Sequence, residues 1–318
     1  MDLLITGIHG FVGSNLVNSL KGKFKIYGLD IVAPETDGVE HTYSWEDLNN
    51  GVIPCVDAII HLAGIANDTN DMSQTDTYLR VNTDLTKKIF DYFSTDCRIK
   101  KFIFFSSAKA AAAHTYGEPL TEDVAPTPAG PYALSKVRAE EYILEHLRTT
   151  PEDYDGRRIF ILRPSMIVGP GCKSNLRQLY KLVKSGVPWP LGAFENQRSL
   201  ASIGNLVFVV EKLLSADVCS GVYNVADDEP VSTNELVEMM CSALGKRARV
   251  LRINRDVVKS LSRVGDILHL PFNSFILNKL TESYLVSNTK IKEALGISHM
   301  PVATRSTLIR TIQSFKID

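Results

Sequence analysis

Thr6-Gly7-Ile8-His9-Gly10-Phe11-Val12-Gly13 is the stretch on which the reading of this chain turns. It follows a short apolar run, Leu3-Leu4-Ile5, and opens a segment, Phe11 to Leu20, whose apolar residues recur at helical spacing. Strand, glycine turn and helix in that order are the context a dinucleotide site requires. Gly7 allows the tight turn out of the strand, Gly10 lets backbone approach a pyrophosphate, and Gly13 lets the helix pack close on the sheet. The helix N-terminus then offers N–H groups and a positive dipole end to phosphates. A glycine-rich turn without a ligand is the alternative, and the strand placed immediately before it favours the dinucleotide.

Composition bounds the rest. A chain of 318 residues, 44% hydrophobic and 22% charged, is long enough for one large α/β unit or two interlocked lobes. A net charge of −1 gives no global basic field and so no pointer to nucleic acid. The five cysteines, Cys55, Cys97, Cys172, Cys219 and Cys241, show no CxxC spacing, which suits reduced thiols in a cytoplasm. The first strand begins almost at Met1, so no targeting segment is expected. No apolar run is long enough to span a bilayer, so no membrane partner is expected either.

A second strand is expected at Phe24–Asp30. It ends in an acid 17 residues past Gly13, where a carboxylate can accept from both hydroxyls of an adenosine ribose and repel a 2′-phosphate. This favours NAD over NADP. A weak third strand is expected at His41–Ser44. Val56–Leu62 reads as a buried parallel strand ending in the small residues Ala63-Gly64, across which a cofactor can lie. His61, inside that run, reads as a packed core histidine. Gln74–Thr95 has helical spacing, interrupted by Asn82, which needs a hydrogen-bond partner if buried. Phe102–Phe105 is the next buried strand and runs into Ser106-Ser107. A loop over 108–131, a helix from Tyr132 to Arg148, and a strand at Arg158–Leu162 closed by Arg163-Pro164 follow. This alternation implies an α/β fold with a parallel sheet wound on both faces, of Rossmann type.

After Pro164 the pattern changes. A glycine loop at 168–171, a helix near Asn175–Lys184 and a Pro/Gly-rich stretch at 187–192 precede a helix at Ile203–Leu214 and a strand at Gly221–Val225. The remainder reads as mostly helical, with a strand near Val250. Residues 1–165 with 203–226 are therefore expected to form the dinucleotide-binding domain. Residues 166–202 with 227–318 are expected to form a smaller, mostly helical substrate lobe.

Tyr132-Ala133-Leu134-Ser135-Lys136 puts Tyr132 and Lys136 one helical turn apart, on one face. A phenolate base at neutral pH must be brought down about 3 units from ~10, or about 4 kcal/mol. A nearby ammonium supplies much of that, and an oxidised nicotinamide adds positive charge. Ser107, ending a buried strand, can hydrogen-bond the same substrate oxygen. Such spacings also arise by chance, but here they occur beside the glycine loop and Asp30.

Here the chain resembles the extended short-chain dehydrogenase/reductase family, in its NAD-dependent epimerase/dehydratase branch that acts on nucleotide sugars. The resemblance covers nearly the whole chain: TGIHGFVG, Asp30, HLAG at 61–64, Asn82 in RVN, SSA at 106–108, PYALSK at 131–136, LRPSMIVGPG at 162–171, RSLASIGNL at 198–206 and GVYNVADDEPVSTNEL at 221–236. Ser107 and Tyr132 stand 25 residues apart, as in sugar 4-epimerases.

The resemblance implies Tyr132 as catalytic base and acid, Lys136 on the nicotinamide ribose, and Ser107 orienting the reacting hydroxyl. It implies a cofactor site of Gly7, Gly10, Phe11, Val12, Gly13, Asp30, Ile31, Leu62, Ala63, Gly64, Asn82, Tyr132, Lys136 and Pro164. Asn175 and Arg198 would meet the substrate diphosphate, and Leu191–Phe194 would lie near the base. No metal is implied. A homodimer through residues 74–96 and 132–148 is. The chain departs from the family at Ala108-Lys109-Ala110-Ala111, Met166, Asn205 and Ala66, on the sugar side rather than at the Tyr–Lys pair. A 4,6-dehydratase is disfavoured, because that chemistry wants an acidic pair where Ala108 and Lys109 stand. The expected activity is C4 epimerisation of a UDP-hexose or UDP-N-acetylhexosamine. The alternatives are a nucleotide-sugar 4-ketoreductase or dehydrogenase using NAD(P)H and a non-catalytic dinucleotide sensor.

Overall fold

Leu3, Leu4 and Ile5 are fully buried in strand β1 (Asp2–Thr6), an inner strand of a seven-stranded parallel sheet. The computed structural model describes every residue except 68–70, 116, 150–155, 173–174, 271 and 317–318. From β1 the chain runs through the glycine turn into α1 (Phe11–Leu20), β2 (Lys25–Leu29), β3 (His41–Tyr43), α2 (Trp45–Asn49) and β4 (Ala58–His61). A long helix follows in two parts, α3 (Thr75–Tyr78) and α4 (Leu85–Thr95), joined by a wider π-type turn at Leu79–Asp84. Next come β5 (Lys101–Phe105), the short α5 (Ala108–Ala111), α6 (Gly130–Thr149) and β6 (Arg158–Pro164).

The order across the sheet is β3-β2-β1-β4-β5-β6, with β9 (Gly221–Val225) last. The direction of winding reverses at β1, between β2 and β4. The crevice beyond the carboxyl ends of β1 and β4 is thus the topological switch point, where such sheets bind ligands. Both faces are covered, which is why the strands read as unbroken apolar runs. In β5, Phe102 and Phe104 pack towards Phe90, Phe93 and Ile143, whereas Ile103 and Phe105 join Leu16, Leu206 and Val210 on the opposite face. The partners on the first face come from α4 and α6, and on the second from α1 and α8 (Ile203–Ser215).

Beyond β6, β7 (Met166–Val168) and β8 (Leu200–Ser202) form a separate two-stranded parallel ribbon. Three residues each are too few to show a period, so sequence alone did not reveal it. With α7 (Asn175–Lys184), α9 (Thr233–Ala243), α10 (Arg255–Ile267), α11 (Ser274–Thr281) and α13 (Thr304–Ser314), the ribbon surrounds a second core that includes Leu176, Tyr180, Trp189, Met240 and Leu308. The strand expected near Val250 is reduced to single bridges, Trp189 to Val250 and Leu191 to Arg252. The loop expected over 108–131 begins instead with a turn of helix, α5, capped by Ser107. Ile291 of α12 (Thr289–Leu295) and Met300 pack into the α1/α8 side of the first core, so the chain returns to the sheet before α13 leaves it.

The segment 284–287 joins the two cores. The Tyr284 N–H donates to the Gln197 carbonyl at 2.8 Å, and the Ser199 N–H to the Tyr284 carbonyl at 2.9 Å. On the other side the Leu120 N–H donates to Leu285 and the Ser287 N–H to Leu120, both at 2.9 Å.

Candidate active site

The glycine turn is close-packed on the end of β4. Gly7 has φ +68°, and a Cβ there would lie 2.8 Å from the Ala63 backbone. At Gly13 a Cβ would come within 2.5 Å of the Gly7 carbonyl oxygen. At Gly10 it would meet only that same oxygen, at 3.1 Å, so the outer side of the turn is open to a ligand. Gly10 is the N-cap of α1 and supplies no side-chain oxygen, which leaves the first-turn N–H groups of Phe11 and Val12 for an anion. His9 Nε2 is buried there without a hydrogen-bond partner. The Asp30 carboxylate, just past β2, accepts from the His9 N–H at 3.1 Å and the Ile31 N–H at 2.7 Å. Ile31 is 86% exposed beside it, an apolar side chain next to the carboxylate.

Three elements meet at Lys136. Its Nζ donates to the Phe105 carbonyl at 2.9 Å and lies 4.9 Å from the Phe104 ring centroid, at the end of β5. A Cβ on Gly64, beyond β4, would stand 3.6 Å from the same nitrogen. Burial pushes the Lys136 pKa down to about 8, with Glu140 opposing. Tyr132, one turn earlier on α6, is half-buried, its ring edge-on to Tyr78 at 6.5 Å. Tyr78 is fixed by its hydroxyl on the Asn67 carbonyl at 2.6 Å. Ser107 follows β5 and accepts from the Lys109 N–H at 3.2 Å. Leu62 and Ala63 each donate to Thr6 Oγ1 at 3.1 Å, while Pro164 ends β6.

Asn82 is fully buried, and the partners it needs are protein groups. Its Oδ1 accepts from the Ile65 N–H at 2.7 Å, and its Nδ2 donates to the Ile65 carbonyl at 3.0 Å and to Ser135 Oγ at 2.9 Å. Expected on the cofactor, Asn82 instead braces the Gly64-Ile65 turn against α6. The π-type turn occurs at this residue, a deformation common at functional sites.

His61 is a core residue, 0% exposed, with Nδ1 at 2.6 Å from Thr6 Oγ1 and Nε2 at 2.9 Å from Thr86 Oγ1. Burial, with a smaller contribution from the charge of Lys136, pushes its pKa down to about 3. The unfolded chain takes up this proton near pH 6.5, and the folded chain refuses it until about pH 3. The stability from this site is therefore complete above pH 6.5 and lost as the pH falls towards 3, on the order of 5 kcal/mol in all. Urea titrations at pH 7 and pH 4 should show a smaller acid loss in His61→Gln than in the parent.

Sequence spacing did not mark the pair Glu140 and Arg163, 23 residues apart and both almost fully buried. Arg163 Nε lies 3.0 and 3.2 Å from the two Glu140 oxygens, and Nη2 lies 2.5 Å from Oε2. The Ser106 hydroxyl donates to the same carboxylate. Two signals were present: Glu140 repeats Lys136 one turn later on the sheet-facing side of α6, and Arg163 closes an apolar strand that demands a countercharge.

On the second lobe, Asn175 is the exposed first residue of α7. Leu191 is buried, and its carbonyl accepts from the Phe194 N–H at 2.9 Å. Arg198, expected on a diphosphate, directs its guanidinium elsewhere. Nε donates to the Glu282 carbonyl at 3.3 Å and Nη2 to the Lys279 carbonyl. Carbonyls in the last turn of α11 lack helical partners, and the arginine caps them. Asn205 is likewise structural, bridging Asp227 at 2.6 Å and the Val302 backbone at 2.8 and 2.9 Å. Lys109 Nζ donates to the Ala113 carbonyl at 2.7 Å and stands 4.4 Å from the Tyr284 ring centroid.

Residues 3–226 match the NAD dependent epimerase/dehydratase family, and the chain belongs to it. It is an enzyme of that family, and NAD is the family's cofactor. The chain is 30% identical to a UDP-glucose 4-epimerase from Vibrio cholerae over 93% of its own length and 90% of the relative's. It is 27% identical to the N-acetyl-alpha-D-glucosaminyl-diphospho-ditrans,octacis-undecaprenol 4-epimerase of Escherichia coli O157:H7, over 92% and 85% respectively. The solved structure of MoeE5 in complex with UDP-glucose and NAD shares the fold, with a TM-score of 0.77 at 21% identity over 100% of this chain and 99% of that one.

The residues present fit NAD. The turn is open at Gly10, and Asp30 keeps further lone pairs for ribose hydroxyls while placing negative charge against a 2′-phosphate. Fluorescence titration should give tighter binding of NADH than of NADPH. Asp30→Ser should narrow the ratio by roughly tenfold, ~1.4 kcal/mol. An unchanged ratio would remove Asp30 from the ribose.

Proposed function

We propose that the chain is a nucleotide-sugar 4-epimerase acting on a UDP-hexose or UDP-N-acetylhexosamine. The observation that carries this reading is the buried Lys136, held by the Phe105 carbonyl one turn after Tyr132 and at the strand end that leads into Ser107. NAD supplies the hydride acceptor and donor for the ring carbon. Tyr132 takes the proton of the sugar hydroxyl and later returns it, while the Lys136 ammonium favours the phenolate. Ser107 orients the oxygen. The resulting keto sugar must turn over before reduction on its other face.

Ala108 and Lys109 supply no acid pair for dehydration. In the proposed arrangement, residues 166–202 and the helices after β9 carry the sugar nucleotide, Asn175 lies at the diphosphate and Leu191–Phe194 beside the base. Arg198 would have to exchange its carbonyl partners for phosphate oxygens. The protein would act in the cytoplasm as a homodimer through α3, α4 and α6.

The test is incubation of purified protein with candidate UDP-sugars and only catalytic NAD, followed by resolution of the epimers. No epimer, with stoichiometric NADH consumption on a 4-keto sugar, would replace this reading by the ketoreductase.

A further inference from the structure

The helix pair α10–α11 carries an unusual surface. Among the described residues, nine of the nineteen exposed large apolar side chains fall between positions 251 and 275. Val257, Leu261, Val264 and Leu268 recur at helical spacing and form one ridge along α10, with Ile267, 75% exposed, beside it and Phe275 on α11. The face that α10 buries is a different one, through Val258, Ser262 and Gly265. The ridge is therefore not a misread core face.

The hairpin is rigidly built. A Cβ on Gly265 would lie 1.9 Å from the Phe272 carbonyl oxygen, so only glycine permits this approach, and Asp266 accepts from the Ser274 N–H at 3.0 Å. The apolar side chains are thus held outward by folded structure.

Charge concentrates in the same place. Residues 246–279 contain eight Lys or Arg and two Asp, within a chain whose net charge is −1. An exposed apolar stripe on an amphipathic helix, set in a locally basic region, complements an anionic bilayer surface: apolar side chains enter the acyl boundary while cations meet headgroups.

We infer that α10–α11 docks this protein on anionic membrane surfaces, lying in the interface without crossing it. The inference does not depend on the epimerase reading. Arg255 at the start of α10 donates to the Ala193 carbonyl at 2.7 Å, so docking would also bring the 191–194 segment near the bilayer.

The test is co-sedimentation of the full chain with vesicles of phosphatidylcholine alone and with about 30% phosphatidylglycerol. Binding is expected to the anionic vesicles and to weaken with salt. Leu261→Asp with Val264→Asp should lower the bound-to-free ratio tenfold or more. Lys259→Glu with Arg263→Glu should lower it roughly fivefold or more per residue changed. All four side chains are exposed on α10 and none is assigned to the cofactor, diphosphate or base, and unchanged cofactor binding reports an intact fold. No binding to anionic vesicles, or binding that neither pair alters, would overturn the inference. So would a dimer by light scattering that Leu261→Asp dissociates while vesicles bind nothing, which would assign the ridge to a second copy.

Discussion

Tyr132→Phe is expected to lower kcat by about 10³- to 10⁴-fold while leaving NADH affinity within about twofold. The ring is half-buried and packs edge-on against Tyr78, and phenylalanine retains those contacts. Only the ionisable oxygen is lost. The dependence on pH follows from its neighbour. Lys136, pushed by burial to about 8, is an ammonium at neutral pH and loses its charge as the pH rises through that value. Activity should therefore fall above about pH 8 as the supporting charge disappears. Steady-state rates from pH 6 to 10 check this, with parallel titrations of NADH binding. A variant that keeps near-parental turnover would require a different base.

Glu140→Ala is expected to cost about 3–5 kcal/mol of stability, read as a lower urea midpoint. The loss comes less from the attraction removed than from the Arg163 guanidinium left buried without its carboxylate. The Ser106 hydroxyl loses its acceptor at the same time, directly before Ser107. Glu140→Gln keeps an acceptor for Arg163 and should lose less. Replacing both partners together, as Glu140→Leu with Arg163→Met, should restore much of the stability, since an apolar pair carries no unpaired charge. Equal losses in the alanine and glutamine variants would show that packing rather than charge dominates the site.

The residues show why parts of this molecule were legible in sequence and others were not. The sheet was legible because strands buried on both faces carry unbroken apolar runs, as in Phe102–Phe105. Gly7 and Gly13 announced the turn because a Cβ at either would strike backbone. Tyr132 and Lys136 were legible from one helical turn of spacing. What escaped depends on side chains meeting across long separations: Glu140 with Arg163, Asn82 with Ile65 and Ser135, Arg198 with the end of α11. No local period encodes such meetings. The ribbon β7–β8 escaped for a different reason, since its three-residue pairs are stabilised by register with distant chain rather than by their own pattern.

The clamped segment 284–287 has a consequence for the making of the protein. A nascent chain emerges from its N-terminus, and domains generally fold as they appear. Strand β6 borders the sheet until residues 221–225 arrive, so synthesis passes through a stage with an open, apolar edge. Even then residues 197–199 and 120 still lack the strand that lies between them, because Tyr284 and Leu285 have not been made. The half-made chain can assemble its sheet before the second lobe is locked, and Ile291 and Met300 complete the first core only after the clamp is made. A stalled chain with residue 230 already outside the ribosome should carry a largely folded sheet with a loose, protease-sensitive second lobe, and the finished chain, with α13 in place, should not.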